Sequence, residues 1–125
     1  MKKVILTKNA PAPIGPYSQA IESNGFLFCS GQIPIDPATN EVKLGDIKSQ
    51  AELVMKNVEA VLSAAGVGFQ NVVKTTIFLT DLKDFGTVNE IYGRYFKENP
   101  AARSTIQVAA LPKGANVEVE VIAHK

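Results

Sequence analysis

With 125 residues, 46% of them hydrophobic and 20% charged, the chain has the composition of one folded domain rather than a disordered segment. A formal net charge of +1 gives no electrostatic case for nucleic acid or an acidic membrane surface. Cys29 is the single cysteine and His124, at the tail, the single histidine, which argues against a disulfide, a thiolate metal cluster, a histidine zinc site and a Ser-His-Asp triad.

Lys3 to Thr7 reads as a short first strand. Its apolar part, Val4-Ile5-Leu6, is too short for a signal peptide, and nowhere does an apolar run approach the ~20 residues of a membrane span. A soluble, cytoplasmic protein is the expectation. Asn9-Ala10-Pro11-Ala12-Pro13-Ile14-Gly15-Pro16 is a rigid extended loop, because its prolines remove backbone donors. Tyr17 to Glu22 resumes a strand, Asn24-Gly25 signals a turn, and Phe26 to Ser30 returns, so Tyr17 to Gly31 reads as a hairpin. Gly31-Gln32-Ile33-Pro34 ends it, and Asp36 to Asn40 is another turn.

Asp46 suits a helix N-cap. After it Ile47, Ala51, Val54, Val58, Val61, Leu62 and Ala65 recur at helical spacing, and Gly66 fits the position just past the end. Val72 to Thr80 is β-branched and strand-like. Phe85, Val88, Tyr92, Tyr95 and Phe96 mark a second helix, stopped at Asn99-Pro100. Asn89, four residues after Phe85 and three before Tyr92, falls on the buried side or its edge.

The segment after Pro100 reads as a strand to Ala109, with Arg103, Thr105 and Gln107 on one face and Ser104, Ile106 and Val108 on the other. Val117 to Ala123 is a further strand, with Glu118 and Glu120 opposite Val117, Val119 and Val121. Across the turn-like Leu111 to Asn116 the two are expected to pair as a hairpin. That pairing would gather Arg103, Thr105, Gln107, Glu118 and Glu120 on one polar face, suited to a cleft wall or a subunit contact. The whole is an α+β domain over residues 1–125, with about six strands in a mixed sheet and two helices on one face. The apolar residues of the other face favour contact with another subunit.

Several residues have both a functional and a plain reading. Arg103 could grip a carboxylate through two parallel hydrogen bonds, or pair with Glu118 or Glu120. Either glutamate could orient or deprotonate a water, or face solvent. Gly31 permits close approach of backbone to a ligand, or is a turn glycine. Tyr17 could close over a small ligand or pack beside Pro16. Asn89 could touch a ligand or cap a loop. Cys29 is most simply a small buried apolar residue, with no activating base nearby in sequence.

Taken together, Ala10-Pro11-Ala12-Pro13-Ile14-Gly15-Pro16-Tyr17-Ser18-Gln19, Ser30-Gly31-Gln32-Ile33-Pro34, Val73-Lys74-Thr75-Thr76, Val88-Asn89, Ala102-Arg103-Ser104, and Leu111-Pro112-Lys113 with Val117-Glu118-Val119-Glu120 resemble the RidA (YjgF) family of reactive intermediate deaminases. The resemblance runs from about Asn9 to the C-terminus. It implies a chorismate-mutase-like fold, a homotrimer with clefts between subunits, and hydrolysis of 2-imino acids such as 2-iminobutanoate and 2-iminopropanoate to 2-oxo acids and ammonia. It implies neither cofactor nor metal. By the same resemblance Arg103 holds the substrate carboxylate and Glu118 positions the attacking water, and Tyr17, Ser30, Gly31, Asn89 and Thr105 join Arg103 in binding substrate. Thr105 and Gln107 depart from relatives, which often carry cysteine and glutamate there. The alternatives implied by other relatives are a single-strand-specific endoribonuclease that inhibits translation and a small-carboxylate-sensing regulator. A net charge of only +1 disfavours the first.

Overall fold

A computed structural model describes all 125 residues. Its strands are β1 (Lys3–Ile5), β2 (Ala20–Ser23), β3 (Phe26–Gln32), β4 (Ile35–Asp36), β5 (Glu41–Val42), β6 (Val72–Leu79), β7 (Ala102–Gln107) and β8 (Val117–His124). The helices are α1 (Ile47–Ala64) and α2 (Phe85–Gly93). Six strands form one mixed sheet in the order β1-β2-β3-β8-β6-β7, while β4 and β5 make a separate small hairpin. No helix is long and apolar enough to cross a membrane.

Local signals account for α1. The Asp46 carboxylate accepts from the Ser49 N–H at 2.7 Å, which caps the first turn. At the other end Gly66, at φ +77°, lets its N–H reach the Ser63 carbonyl at 3.0 Å and the Val67 N–H reach that of Leu62 at 3.0 Å. This is the reciprocal closure that a left-handed residue after a helix makes possible. The stripe of Ala51, Val54, Val58, Val61 and Leu62 is buried against the sheet, at about 1.5–3 kcal/mol for each large apolar side chain. The Asn24-Gly25 turn has positive φ at both residues, 53° and 80°, and joins β2 to β3 as expected. The first of those strands begins at Ala20 rather than Tyr17; just before it the Ser18 and Gln19 carbonyls accept from Ser30 alone rather than in a regular ladder. The second helix stops at Gly93, short of Phe96. Phe96 then folds back to stack on Tyr92, with ring centres 4.5 Å apart.

One expectation is overturned. The last two strands do not form a hairpin: β6 lies between them, parallel to β7 and antiparallel to β8. The reason is burial. Val117, Val119, Val121 and Ala123 are almost wholly enclosed, so β8 takes the centre of the sheet between β3 and β6. β7, with little of its surface covered, returns from α2 to the free edge of β6.

Register then fixes the faces. Arg103 is opposite Thr75, which is opposite Val121; Ser104 is opposite Thr76, which is opposite Glu120. Arg103, Thr105 and Gln107 therefore lie on the helix-covered face with the valines. Glu118 and Glu120 lie on the open face with Ser104 and Ile106. The single polar face read from alternation is in fact divided between the two sides of the sheet. The open side carries exposed Phe26, Phe28 and Ile106.

Candidate active site

Glu118 forms the base of a cleft of about 300 Å³, walled by Pro11, Ala12, Ile14, Tyr17, Ile33 and Ile35, with Gln32 and Lys113 at its polar side. A β-bulge between Cys29 and Gln32 interrupts the β3–β8 ladder beside it. At that bulge Gly31 supports the glutamate: a Cβ built on Gly31 would stand 2.8 Å from the Glu118 Cδ. A side chain there would displace the carboxylate, so the glycine leaves the room that Glu118 occupies. Burial pushes the Glu118 carboxyl above its ordinary range, and the charge of Glu120 adds to the rise.

Both walls are held by buried amides. Gln19 accepts from the Thr7 N–H at 2.7 Å and donates to the carbonyls of Thr7 at 3.0 Å, Ala10 at 3.4 Å and Pro11 at 2.9 Å. It thereby fixes the start of the proline loop. Asn57, on α1, donates to the carbonyls of Ile33 at 3.4 Å and Ile35 at 2.8 Å and holds the opposite wall. Tyr17 is exposed at the rim, and its hydroxyl accepts from the Ile14 N–H at 3.4 Å. Ser30 does not line the cleft. Its hydroxyl donates to the Ser18 carbonyl at 2.6 Å and its N–H to that of Gln19 at 2.9 Å, lacing β3 to the segment that carries Tyr17.

Arg103, Asn89 and Thr105 come together elsewhere, where β7 meets α2. Asn89 is exposed rather than buried, and its Oδ1 accepts from Arg103 Nη1 at 2.7 Å. The guanidinium carbon stands 5.3 Å from the Phe85 ring centre and 5.0 Å from that of Tyr92. The Thr105 hydroxyl is buried with no hydrogen-bond partner in the chain, an orphan that a ligand oxygen could satisfy. Gln107 accepts from the Leu82 N–H at 2.9 Å and ties β7 to the turn before α2. A glutamate would accept there equally well.

The expected site residues thus fall into two groups. Tyr17, Gly31 and Glu118 share the cleft, Arg103, Asn89 and Thr105 share the β7–α2 edge, and the sheet separates them. One chain presents a carboxylate in an apolar cleft and, on its other face, a cation with a free hydroxyl beside it. Sequence reasoning missed Phe85 and Tyr92 as neighbours of Arg103, although their spacing with Asn89 was visible. It also missed Gln19 and Asn57, which look like ordinary polar residues until their partners are seen. No three of the His, Cys, Asp and Glu side chains converge to hold a metal ion. Cys29 is buried, and burial pushes its thiol up to about 12, so it stays protonated.

Comparison with known proteins agrees on the family, while the names its members carry differ in activity. Residues 7–125 match the family model for endoribonuclease L-PSP. A RutC family protein of Pyrococcus horikoshii is 52% identical, over 100% of this chain and 99% of its own length. The human 2-iminobutanoate/2-iminopropanoate deaminase is 49% identical over 98% of this chain and 90% of its own. The crystal structure of E. coli TdcF with bound serine superposes with a TM-score of 0.93 at 43% identity, covering 98% of each chain.

Proposed function

From the premise that the chain belongs to the endoribonuclease L-PSP family, which includes RidA and YjgF, we propose that it hydrolyses small 2-imino acids to 2-oxo acids and ammonia. The observation that carries the reading is Glu118: a carboxylate of raised pKa, seated on a glycine in a mostly apolar cleft. Such a group suits a general base better than a solvated surface glutamate does. The name of the human relative and the amino acid bound by TdcF support a small carboxylate-bearing substrate.

The clefts are completed by a second copy in a homotrimer. Within one chain Arg103 and Glu118 are on opposite sides of the sheet and cannot share a substrate. A neighbour supplies its Arg103, Thr105 and Asn89 to the cleft holding Glu118, Gly31 and Tyr17. The guanidinium grips the α-carboxylate, and the orphan Thr105 hydroxyl donates to it. The protonated imine carbon is then placed against a water held by Glu118. Water adds to that carbon as Glu118 takes its proton, giving a carbinolamine. Glu118 returns that proton to nitrogen, the C–N bond breaks as the hydroxyl gives its own proton back to the Glu118 carboxylate, and ammonia, which takes up that proton to become ammonium, leaves with the 2-oxo acid. No thiol is needed, because the iminium carbon is already electrophilic; threonine at 105 is compatible with the reaction.

The test is 2-iminobutanoate generated in situ by threonine dehydratase. The appearance of 2-oxobutanoate should accelerate in proportion to added protein. A rate no faster than spontaneous hydrolysis at micromolar protein overturns the reading.

A further inference from the structure

Arg103 projects from an exposed edge strand, where nothing on its own strand would fix a long, flexible side chain. We propose that Phe85, Asn89 and Tyr92 form a preassembled cradle on α2 that holds the guanidinium before substrate arrives, making Phe85 and Tyr92 positioning residues for carboxylate recognition. The functional part of this inference rests on the deaminase reading; the cradle itself does not.

The three residues stand at i, i+4 and i+7, on one helix face. Phe85 and Tyr92 are thus about 10.5 Å apart along the axis. The guanidinium carbon lies roughly midway, 5.3 Å and 5.0 Å from the two ring centres, within cation–π range of both. Asn89, between them in sequence, accepts from Nη1 at 2.7 Å. That bond uses one N–H of the guanidinium and leaves others of the fork for a carboxylate.

Tyr92 is itself fixed. It is 5% exposed, its ring stacks on Phe96, and its hydroxyl bonds the Thr75 Oγ1 at 2.8 Å. Thr75 is 1% exposed and directly opposite Arg103 in the β6–β7 ladder. The contacts close a circuit, from Arg103 to Tyr92, from Tyr92 to Thr75, and from Thr75 back to the Arg103 backbone. Swinging Tyr92 away would break the bond between two buried hydroxyls, an unfavourable change. A guanidinium already held loses less rotamer freedom when it binds its ligand. Affinity for the carboxylate is therefore set partly by two aromatic rings that do not touch it.

Phe85→Leu keeps an apolar side chain at the half-buried position but removes the ring; Phe85→Tyr keeps the ring. Two measurements separate the cradle from the deaminase reading. The first is the side-chain Nε–Hε resonance of Arg103 by NMR in the free protein, simple to assign because Arg94 and Arg103 are the chain's arginines. It should be displaced by ring currents in the parent and in Phe85→Tyr, and should return to the ordinary position in Phe85→Leu. The second is calorimetric binding of 2-oxobutanoate, expected to weaken about three- to tenfold in Phe85→Leu with the native fold retained by circular dichroism, and to be unchanged in Phe85→Tyr. An undisplaced Arg103 resonance in the parent overturns the cradle, as does a Phe85→Leu variant that binds like the parent, or a Phe85→Tyr variant that loses as much as Phe85→Leu. A displaced resonance in a parent that binds no 2-oxo acid would leave the cradle standing and sink the deaminase reading instead.

Discussion

Glu118 and Glu120 show how position along one strand separates two chemically identical side chains. Both point to the open face, yet only Glu118 lines the cleft over Gly31. Glu118→Gln keeps size and most hydrogen bonding but removes the base, and should cost about 10²–10⁴-fold in turnover while 2-oxobutanoate still binds. Glu120→Gln should stay active and move the pH profile. Burial and then the Glu120 charge raise the Glu118 carboxyl, so activity requiring the carboxylate falls, on acidification, at a pH above the ordinary glutamate range. Removing Glu120 takes away a like charge, and the acid limb of kcat/KM should move to lower pH. A limb that stays put or rises in Glu120→Gln contradicts the assignment of Glu118 as base. Arg103 is subject to a different rule. A lysine there carries the charge but not the planar fork, so Arg103→Lys should bind 2-oxobutanoate far more weakly than the parent, and Arg103→Ala more weakly still, by about 100-fold. The side chain is exposed, so both variants should melt like the parent; near-parental affinity in Arg103→Lys would argue against a two-point grip.

Elements were legible in the sequence where their signals are short-range, and illegible where a distant segment decides. Asp46 and Gly66 bracket α1 because capping is completed within a few residues. The Asn24-Gly25 turn is equally local. The β7–β8 hairpin failed because adjacency in sequence does not settle pairing: the crossover through α2 returns β7 to the far edge of β6, and β8, with its valine face wholly buried, takes the place between β3 and β6. The proline loop lies between these cases. Its extended form follows from its prolines, but its placement depends on Gln19, 1% exposed and bonded to Thr7, Ala10 and Pro11. Gln19→Leu fits the volume but leaves a buried N–H and carbonyls unpaired, at an expected cost of about 2–4 kcal/mol. Because the loop carries Pro11, Ala12, Ile14 and Tyr17 into the cleft, KM should rise more than kcat falls. A variant with parental stability and parental KM would show that the loop holds its place without the amide.

At the scale of the molecule, the residues of the site were readable one by one, but their division was not. Alternation alone assigns Arg103 and Glu118 to faces of their own strands, and only the intervening β6 turns those faces away from each other. A chain that folds this way holds two separated groups of candidate site residues and leaves the exposed Phe26, Phe28 and Ile106 on its open face, an arrangement that the proposed oligomer would complete. This makes a prediction that no single-chain site shares. Arg103→Ala and Glu118→Gln should each be inactive alone. Denatured together in equal amounts and refolded into mixed oligomers, they should regain activity, because some clefts then pair an intact arginine from one copy with an intact glutamate from its neighbour. With random assembly each such cleft needs the right variant on both sides, so the recovered activity should approach about a quarter of the parental value. The two proteins refolded separately and then mixed provide the control and should remain inactive until subunits exchange. If co-refolding recovers nothing while each variant still assembles to the parental size by light scattering, Arg103 and Glu118 do not serve one substrate across an interface, and the two-copy site is wrong.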